Sequence, residues 1–269
     1  MTWIKSLFRQ RQTMASLVGA NRSAEPERHG SAGYEMRSET FPSGTNIRTR
    51  TRRSGAWFPS TLLLAFIAIW VMLAIAPRYR QDWLLENVLV FVAVPLFVLT
   101  YRSLRFTNAS YLSLFLFFVL HEIGAHYTYS EVPYDEWLTA YLGFSPNHYF
   151  ALPRNDYDRF VHAMYGLLMT PVANELFANR APPRGLWRWI FPVTFIMSHS
   201  LIYELVEWFA AVRFGGNLGA AYLGSQGDPW DAQRDMLMAS IGSILSMSII
   251  IMAGHAQGRR MATRDPSLR

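Results

Sequence analysis

The sequence predicts an all-α membrane protein with about six transmembrane helices and both termini in the cytoplasm. The apolar residues are gathered into long blocks, and the arginines are divided unevenly between the segments that connect those blocks. Charged residues make up only 16% of the chain, against about 25% in soluble domains. These three observations favour a polytopic membrane protein over a soluble globular one.

Six apolar segments are candidates for membrane spans, because a hydrocarbon core of about 30 Å requires roughly 20 helical residues. The first segment, 57–76, has twenty residues and no charge. The second and third, taken singly, are short enough to be buried helices of a soluble protein. Six blocks with linkers this short nevertheless favour a membrane protein. After the first, the predicted spans are 85–101, 111–127, 160–178, 187–212 and 236–253.

The arginines predict the orientation of these spans. With the N-terminus inside, the predicted outer segments hold six arginines, and the inner segments and the tail hold more than twice as many. An excess of basic residues on the cytoplasmic side is the usual asymmetry of membrane proteins. The inner arginines that carry this prediction are Arg48, Arg50, Arg52, Arg53, Arg102, Arg105, Arg180, Arg184, Arg188, Arg259, Arg260, Arg264 and Arg269.

The charge also divides the chain into three regions. Residues 1–56 hold ten Lys or Arg and four Glu, which accounts for the whole net charge of +6. We expect 1–56 to be a disordered basic arm with an amphipathic interfacial helix near its start, 57–253 to be the transmembrane domain, and 254–269 to be a basic cytoplasmic tail. No nucleic-acid-binding fold or aromatic platform accompanies the arm, so the expected partner is the lipid bilayer and not a nucleic acid. The chain has no cysteine, which excludes disulfides and thiolate sites.

The predicted third span ends in a sequence rich in groups that bind metals or protons. Glu122 and His126 are four residues apart and share a helix face. His121 points elsewhere, unless the helix is broken at Gly124. Ionisable groups within membrane spans are rare and costly, so each is a functional candidate.

Three further spans carry ionisable groups near one end. With the predicted topology, all of these ends lie at the outer level of the membrane, which favours one shared polar site that opens outward. Glu86, near the outer end of the second span, either joins this cluster or is exposed at the membrane interface. The candidates are Asp158, Arg159 and His162 on the fourth span, Glu204 and Glu207 on the fifth, and Asp231 and Asp235 before the sixth.

Four stretches of the chain resemble the YjdF-like family of bacterial inner-membrane proteins, a domain of unknown function: HEIGAHYTYSEVPYDEW, NDYDRFVHAMYGLLMTP, ELVEW and LGSQGDPWDAQRDMLMASIGS. The resemblance extends over residues 60–252. More distantly, the last three spans are similar to VanZ-like proteins, which carry an acidic-basic pair and then a histidine, here Asp158, Arg159 and His162. This chain has Ala239 where that pattern has Asn, and Glu207 where Gln is usual. The resemblance implies a cell-envelope role in the bacterial inner (plasma) membrane, and it supplies no reaction.

The residues leave three functions open, and whether the protein is an enzyme stays open with them. In the first, a divalent metal ion binds at the site and assists chemistry on an envelope lipid or a lipid-linked intermediate. In the second, the acids and histidines form a proton or ion path of a transporter. In the third, they are a structural hydrogen-bond network of a scaffold or binding protein. The metal hypothesis assigns these roles: ligands His121, Glu122, His126, His162 and Glu204; orienting residues Asp158 and Arg159; catalytic residues Glu207, Asp231 and Asp235.

Overall fold

The computed structural model describes residues 55–264, without the side chains of residues 217, 218, 220, 221 and 256–264. Residues 1–54 of the predicted basic arm and the last five residues of the predicted tail lie outside the described part. Within 55–264 the chain forms helices and no β-strand. The all-α prediction is confirmed for this part of the chain.

Each predicted span corresponds to one long helix, and three short helices lie in the connections. A 3₁₀ turn, Tyr129–Glu131, follows the third helix. The helices of the described residues are α1 (Trp57–Leu73), α2 (Arg80–Thr100), α3 (Asn108–Tyr127), α4 (Tyr134–Leu142), α5 (Pro146–Tyr149), α6 (Tyr157–Arg180), α7 (Trp187–Phe214), α8 (Gly216–Leu223) and α9 (Asp231–Arg264).

Within the described residues, four helices, α2, α3, α7 and α9, are long and apolar enough to cross a membrane. Helix α1 is apolar but has only 17 residues. Helix α6 has 24 residues and carries several charged side chains. It packs against α3, α7 and α9, so protein and not lipid covers its polar face, which a hydropathy pattern does not register.

Two helices begin five residues earlier than their apolar segments predict. Helix α2 begins at Arg80, so that Asp82 and Glu86 lie inside it and are only 1% and 3% exposed. Helix α9 begins at Asp231 and continues past residue 253 to Arg264. In α2 the first turns carry polar side chains that protein covers, and a search for apolar runs therefore places the start of the helix too late.

Helix α3 is unbroken at Gly124, contrary to the option of a break there. It ends at Thr128, whose φ of 56° is left-handed and turns the chain back toward the helix. A Cβ at Gly124 would lie 2.5 Å from the Tyr129 ring. The glycine therefore makes room for that ring instead of interrupting the helix.

Helices α6 and α9 are in close contact through small residues. A Cβ on Gly166 would lie 2.0 Å from the carbonyl oxygen of Ala239, and one on Gly242 would lie 2.1 Å from that of Ala163. One turn further, Thr170 and Ser243 share a hydrogen bond of 2.7 Å between their hydroxyls. Small residues allow helix backbones to approach closely in membrane proteins. This contact determines which side chains meet at the N-terminal ends of the two helices.

Candidate functional site

Two facing stripes, one on α6 and one on α9, repeat every four residues. Residues four apart lie on the same face of a helix. The C-terminal half of each stripe forms the close contact between Gly166 and Ala239. The N-terminal halves therefore also face each other. The stripes are Asp158, His162, Gly166 and Thr170 on α6, and Asp231, Asp235, Ala239 and Ser243 on α9.

Asp158, His162 and Asp235 form a compact group of potential metal ligands. All three are buried, and one donor atom of each lies within 4.8 Å of the others. The Nε2 atom of His162 is 3.6 Å from Oδ1 of Asp158. It is also 3.5 Å from Oε1 of Glu204, which comes from α7. Three helices thus contribute oxygen and nitrogen donors to one small volume.

Two atoms of this group have no hydrogen-bond partner among the described residues. They are Oε1 of Glu204 and Oδ1 of Asp235. Glu204 and Asp235 are 7% and 2% exposed, and Glu207, one helical turn from Glu204, is buried as well. A buried carboxylate needs a positive partner or a full set of donors to offset its desolvation. The arrangement is therefore suited to a cation.

A second polar layer lies beside this group, near the N-terminal end of α2. Tyr203 donates its hydroxyl hydrogen to Oε2 of Glu86 at 2.8 Å. His121 contacts the carbonyl oxygen of Glu86 through Nε2 at 3.2 Å and the hydroxyl of Tyr129 through Nδ1 at 2.5 Å. Of the two alternatives for Glu86, interfacial exposure is wrong, because α7 and α3 cover this residue.

Arginines and aspartates from the connections frame the site. Arg154 pairs with Asp231 at 2.6 Å, and Arg159 pairs with Asp156 at 2.8 Å and with Asp228 at 2.6 Å. Both guanidinium groups are mostly buried. Each keeps one buried nitrogen without a hydrogen-bond partner within the described residues, Nη2 of Arg154 and Nε of Arg159.

Asp228 joins the segment before α9 to this frame. The backbone N–H of Trp230 donates to Asp228 at 3.0 Å, and this bond, together with Arg234 and Arg159, holds the pKa of Asp228 below its ordinary value. The carboxylate therefore stays ionised, and it links the segment before α9 to α6.

The structure brings together only two of the five sequence-predicted ligands. His162 and Glu204 lie in the compact group. His126 instead contacts the carbonyl oxygen of Leu73 through Nδ1 at 2.7 Å. His121 lies in the second polar layer, and the buried oxygens of Glu122 have no hydrogen-bond partner among the described residues.

The residues expected to orient or catalyse are also redistributed. Asp158, expected to orient His162, has its own carboxylate in the ligand group, and Asp235 is there as well. Asp231 pairs with Arg154 and Arg159 and so belongs to the frame. Arg159 lies in the frame too.

A family described as "Predicted membrane protein (DUF2238)" matches residues 58–256. This chain belongs to that family. It is similar to the inner membrane protein YjdF of Escherichia coli (strain K12), with 32% identity over 200 residues, which covers 74% of this chain and 90% of the relative. No solved structure matches the chain.

Family membership establishes the chain as a membrane protein and confirms the resemblance to YjdF-like proteins. The more distant similarity to VanZ-like proteins stays a prediction. Ala239 is fully buried, and its carbonyl oxygen is the atom that faces Gly166.

Several polar residues of this DUF2238 protein were not among the sequence-predicted site residues. A four-residue repeat of small and polar residues was visible in both α6 and α9 and indicates which faces meet. A weaker pattern indicates the burial of Asp82 and Glu86: these two acids lie one turn apart, directly before an apolar run. The missed residues are Asp82, Glu86, Asn87, Tyr129, Arg154 and Tyr203.

Proposed function

We propose that Asp158, His162 and Asp235 bind a divalent metal ion, with Glu204 as a fourth ligand. The observation that carries the proposal is the buried group itself, in which Glu204 and Asp235 each present an oxygen that lacks a partner among the described residues. Three carboxylates and one imidazole suit Mn²⁺, Fe²⁺ or Zn²⁺. Glu207 lies beside Glu204 and is available as a general base.

We further propose that the substrate carries a phosphoryl group and belongs to the cell envelope, as a lipid or a lipid-linked intermediate. Arg154 and Arg159 bring guanidinium groups to the edge of the proposed ligands Asp158, His162, Asp235 and Glu204, called the metal group below. Each guanidinium has one buried N–H without a hydrogen-bond partner among the described residues. Guanidinium groups recognise phosphate oxygens through charge-assisted hydrogen bonds. A metal ion at the site would polarise the phosphoryl group or activate water.

The same proposal includes the arrangement in the membrane. Helices α1, α2, α3, α6, α7 and α9 would form six spans of a multi-pass protein in the bacterial inner membrane, with both termini in the cytoplasm. Helix α6 would cross as a central helix, since its polar face is covered by its neighbours. The metal group would then open to the outer side, where envelope lipid intermediates are exposed.

Metal analysis of the purified protein tests the metal site. We expect about one metal ion per chain in the wild type, and at least tenfold weaker binding in His162→Ala and Asp235→Asn. His148→Ala is the matched control, because His148 is exposed on α5. His126→Ala tests the wider set of predicted ligands and is expected to retain the metal.

Two results would overturn the metal proposal. One is a wild-type protein that binds no stoichiometric Mn²⁺, Fe²⁺ or Zn²⁺. The other is unchanged metal content in both ligand variants. If the ligand variants unfold while the wild type is metal-free, the polar residues are a structural network instead.

A transport path has less support than the metal site. Glu175 is the acid near the opposite end of the bundle, on α6. It accepts hydrogen bonds from the backbone N–H of Thr107 at 2.9 Å and from the hydroxyl of Ser110 at 2.6 Å. Glu175 therefore stabilises the start of α3. Its contacts among the described residues are those of a structural residue and not those of a step in an ion path.

A further inference from the structure

An apolar cavity lies at the end of the bundle opposite the metal group. Its volume is about 230 Å³, and the start of α1, the end of α2 and the start of α3 line it. The walls include Leu63, Phe97, Tyr101, Tyr111 and Phe118. None of the residues that line the cavity is among the ligand residues of the candidate functional site. The cavity is therefore separate from that site.

The size and lining of the cavity favour one kind of occupant. Sites for compact small molecules usually have volumes of roughly 300–1,000 Å³ and several convergent polar groups. This cavity is smaller and its walls are mainly aromatic and aliphatic. A segment of an acyl chain fits both the small volume and the apolar walls. The helices that form the walls are apolar in composition, as membrane spans are.

Positive charge stands at the mouth of the cavity. Tyr101 lines the cavity, and the guanidinium carbon of Arg105 lies 5.6 Å from the centre of its ring. Arg102 follows Tyr101 directly, and both arginines are exposed. Neither belongs to an ion pair among the described residues. Glu175, an acid at the same end, is occupied by Thr107 and Ser110.

We infer that this cavity holds an acyl chain of an anionic phospholipid whose phosphate binds Arg105 and Arg102. Apolar burial would supply affinity for any diacyl lipid. The two arginines would select a net negative headgroup, since one basic residue near a membrane surface contributes about 1 kcal/mol to the attraction of anionic lipid. The inference rests on different residues from the proposed metal site and stands or falls independently of it.

Native mass spectrometry of the full chain, titrated with phosphatidylglycerol or phosphatidylethanolamine of identical acyl composition, tests the inference. Because both arginines contribute, the wild type is expected to bind phosphatidylglycerol about thirtyfold more tightly. Arg105→Gln is expected to remove most of this preference. Arg188→Gln is the matched control, because Arg188 stacks on Trp189 of α7 at 4.3 Å and does not line the cavity.

A second variant tests the acyl chain. Leu63→Trp adds bulk to the cavity wall and is expected to weaken the binding of both lipids. Equal wild-type affinity for the two lipids would overturn the inference. So would an unchanged preference in Arg105→Gln, or an equal loss in Arg188→Gln. If Leu63→Trp does not fold, the two arginine variants decide alone, because both change exposed side chains.

Discussion

Glu86 and Tyr203 illustrate how individual polar residues are accommodated in this bundle. The Glu86 carboxylate is buried, and the Tyr203 hydroxyl donates a hydrogen bond of 2.8 Å to it. Removing one partner of a buried hydrogen bond leaves the other with its full desolvation cost. The neighbouring residue, Glu204, belongs to the proposed metal ligands, so Tyr203 links the two polar layers.

Tyr203→Phe is expected to lower the free energy of unfolding by about 1–3 kcal/mol, because the Glu86 carboxylate loses its donor. Thermal unfolding in detergent measures the effect. Tyr141→Phe is the matched control, since the Tyr141 side chain is 85% exposed, and it is expected to change nothing. Equal stability of the two variants would show that the hydrogen bond to Glu86 contributes little.

The residues of the site could be predicted from the sequence only in part. Helical spacing shows which side chains share a face, and it identified Asp158 with His162. It does not show what that face meets. His126 has the same four-residue spacing from Glu122, yet its ring contacts the backbone carbonyl of Leu73, the last residue of α1. Glu86 was judged by its position near a span end, while its burial depends on α7, more than a hundred residues later.

At the scale of the helices, the contact between α6 and α9 determines the geometry of the site. Gly166 and Gly242 allow a backbone approach that no side chain would permit. The approach places His162 of one helix beside Asp235 of the other.

Gly166→Ala is expected to destabilise the protein by about 1–3 kcal/mol, because the new Cβ would overlap the Ala239 carbonyl. It should also weaken metal binding, since α6 and α9 would separate. Gly254→Ala, in α9, is the matched control: a Cβ there meets nothing within 4 Å. This control should be neutral or slightly stabilising, because alanine favours helix more than glycine. Unfolding midpoints and metal content of the two variants check the prediction.

The existence of the long helices could be read from the apolar blocks, while their ends and their partners could not. Helix α6 is less apolar than the four helices that qualify as membrane spans, and its position among α3, α7 and α9 explains how it tolerates its polar residues. The starts of α2 and α9 were placed too late, most clearly in α2, whose first turns carry polar residues that protein buries.

At the scale of the whole molecule, the two ends of the bundle differ in chemistry. One end holds the carboxylates, the histidines and the arginine–aspartate frame. The other holds the apolar cavity and exposed arginines. Under the positive-inside rule, the exposed arginines would face the cytoplasm.

The orientation can be tested directly, because the chain has no cysteine of its own. In intact cells, a membrane-impermeant maleimide is expected to label Tyr149→Cys, in the connection between α3 and α6, and to leave Ala181→Cys, after α6, unlabelled. Both positions are exposed. Labelling of both after the membrane is permeabilised is the control. The reverse pattern in intact cells would place the metal group on the cytoplasmic side.

The four-residue stripes of α6 and α9 have a consequence for how the site can change. A rotation of α9 by one residue turns its side chains by about 100°, so that Asp235 would leave His162 at the same moment as Ala239 would leave Gly166. A change in the register of the two helices would therefore also change which residues form the site. Donor chemistry can be altered by replacing a side chain within the stripe, but not by shifting the helix that presents it.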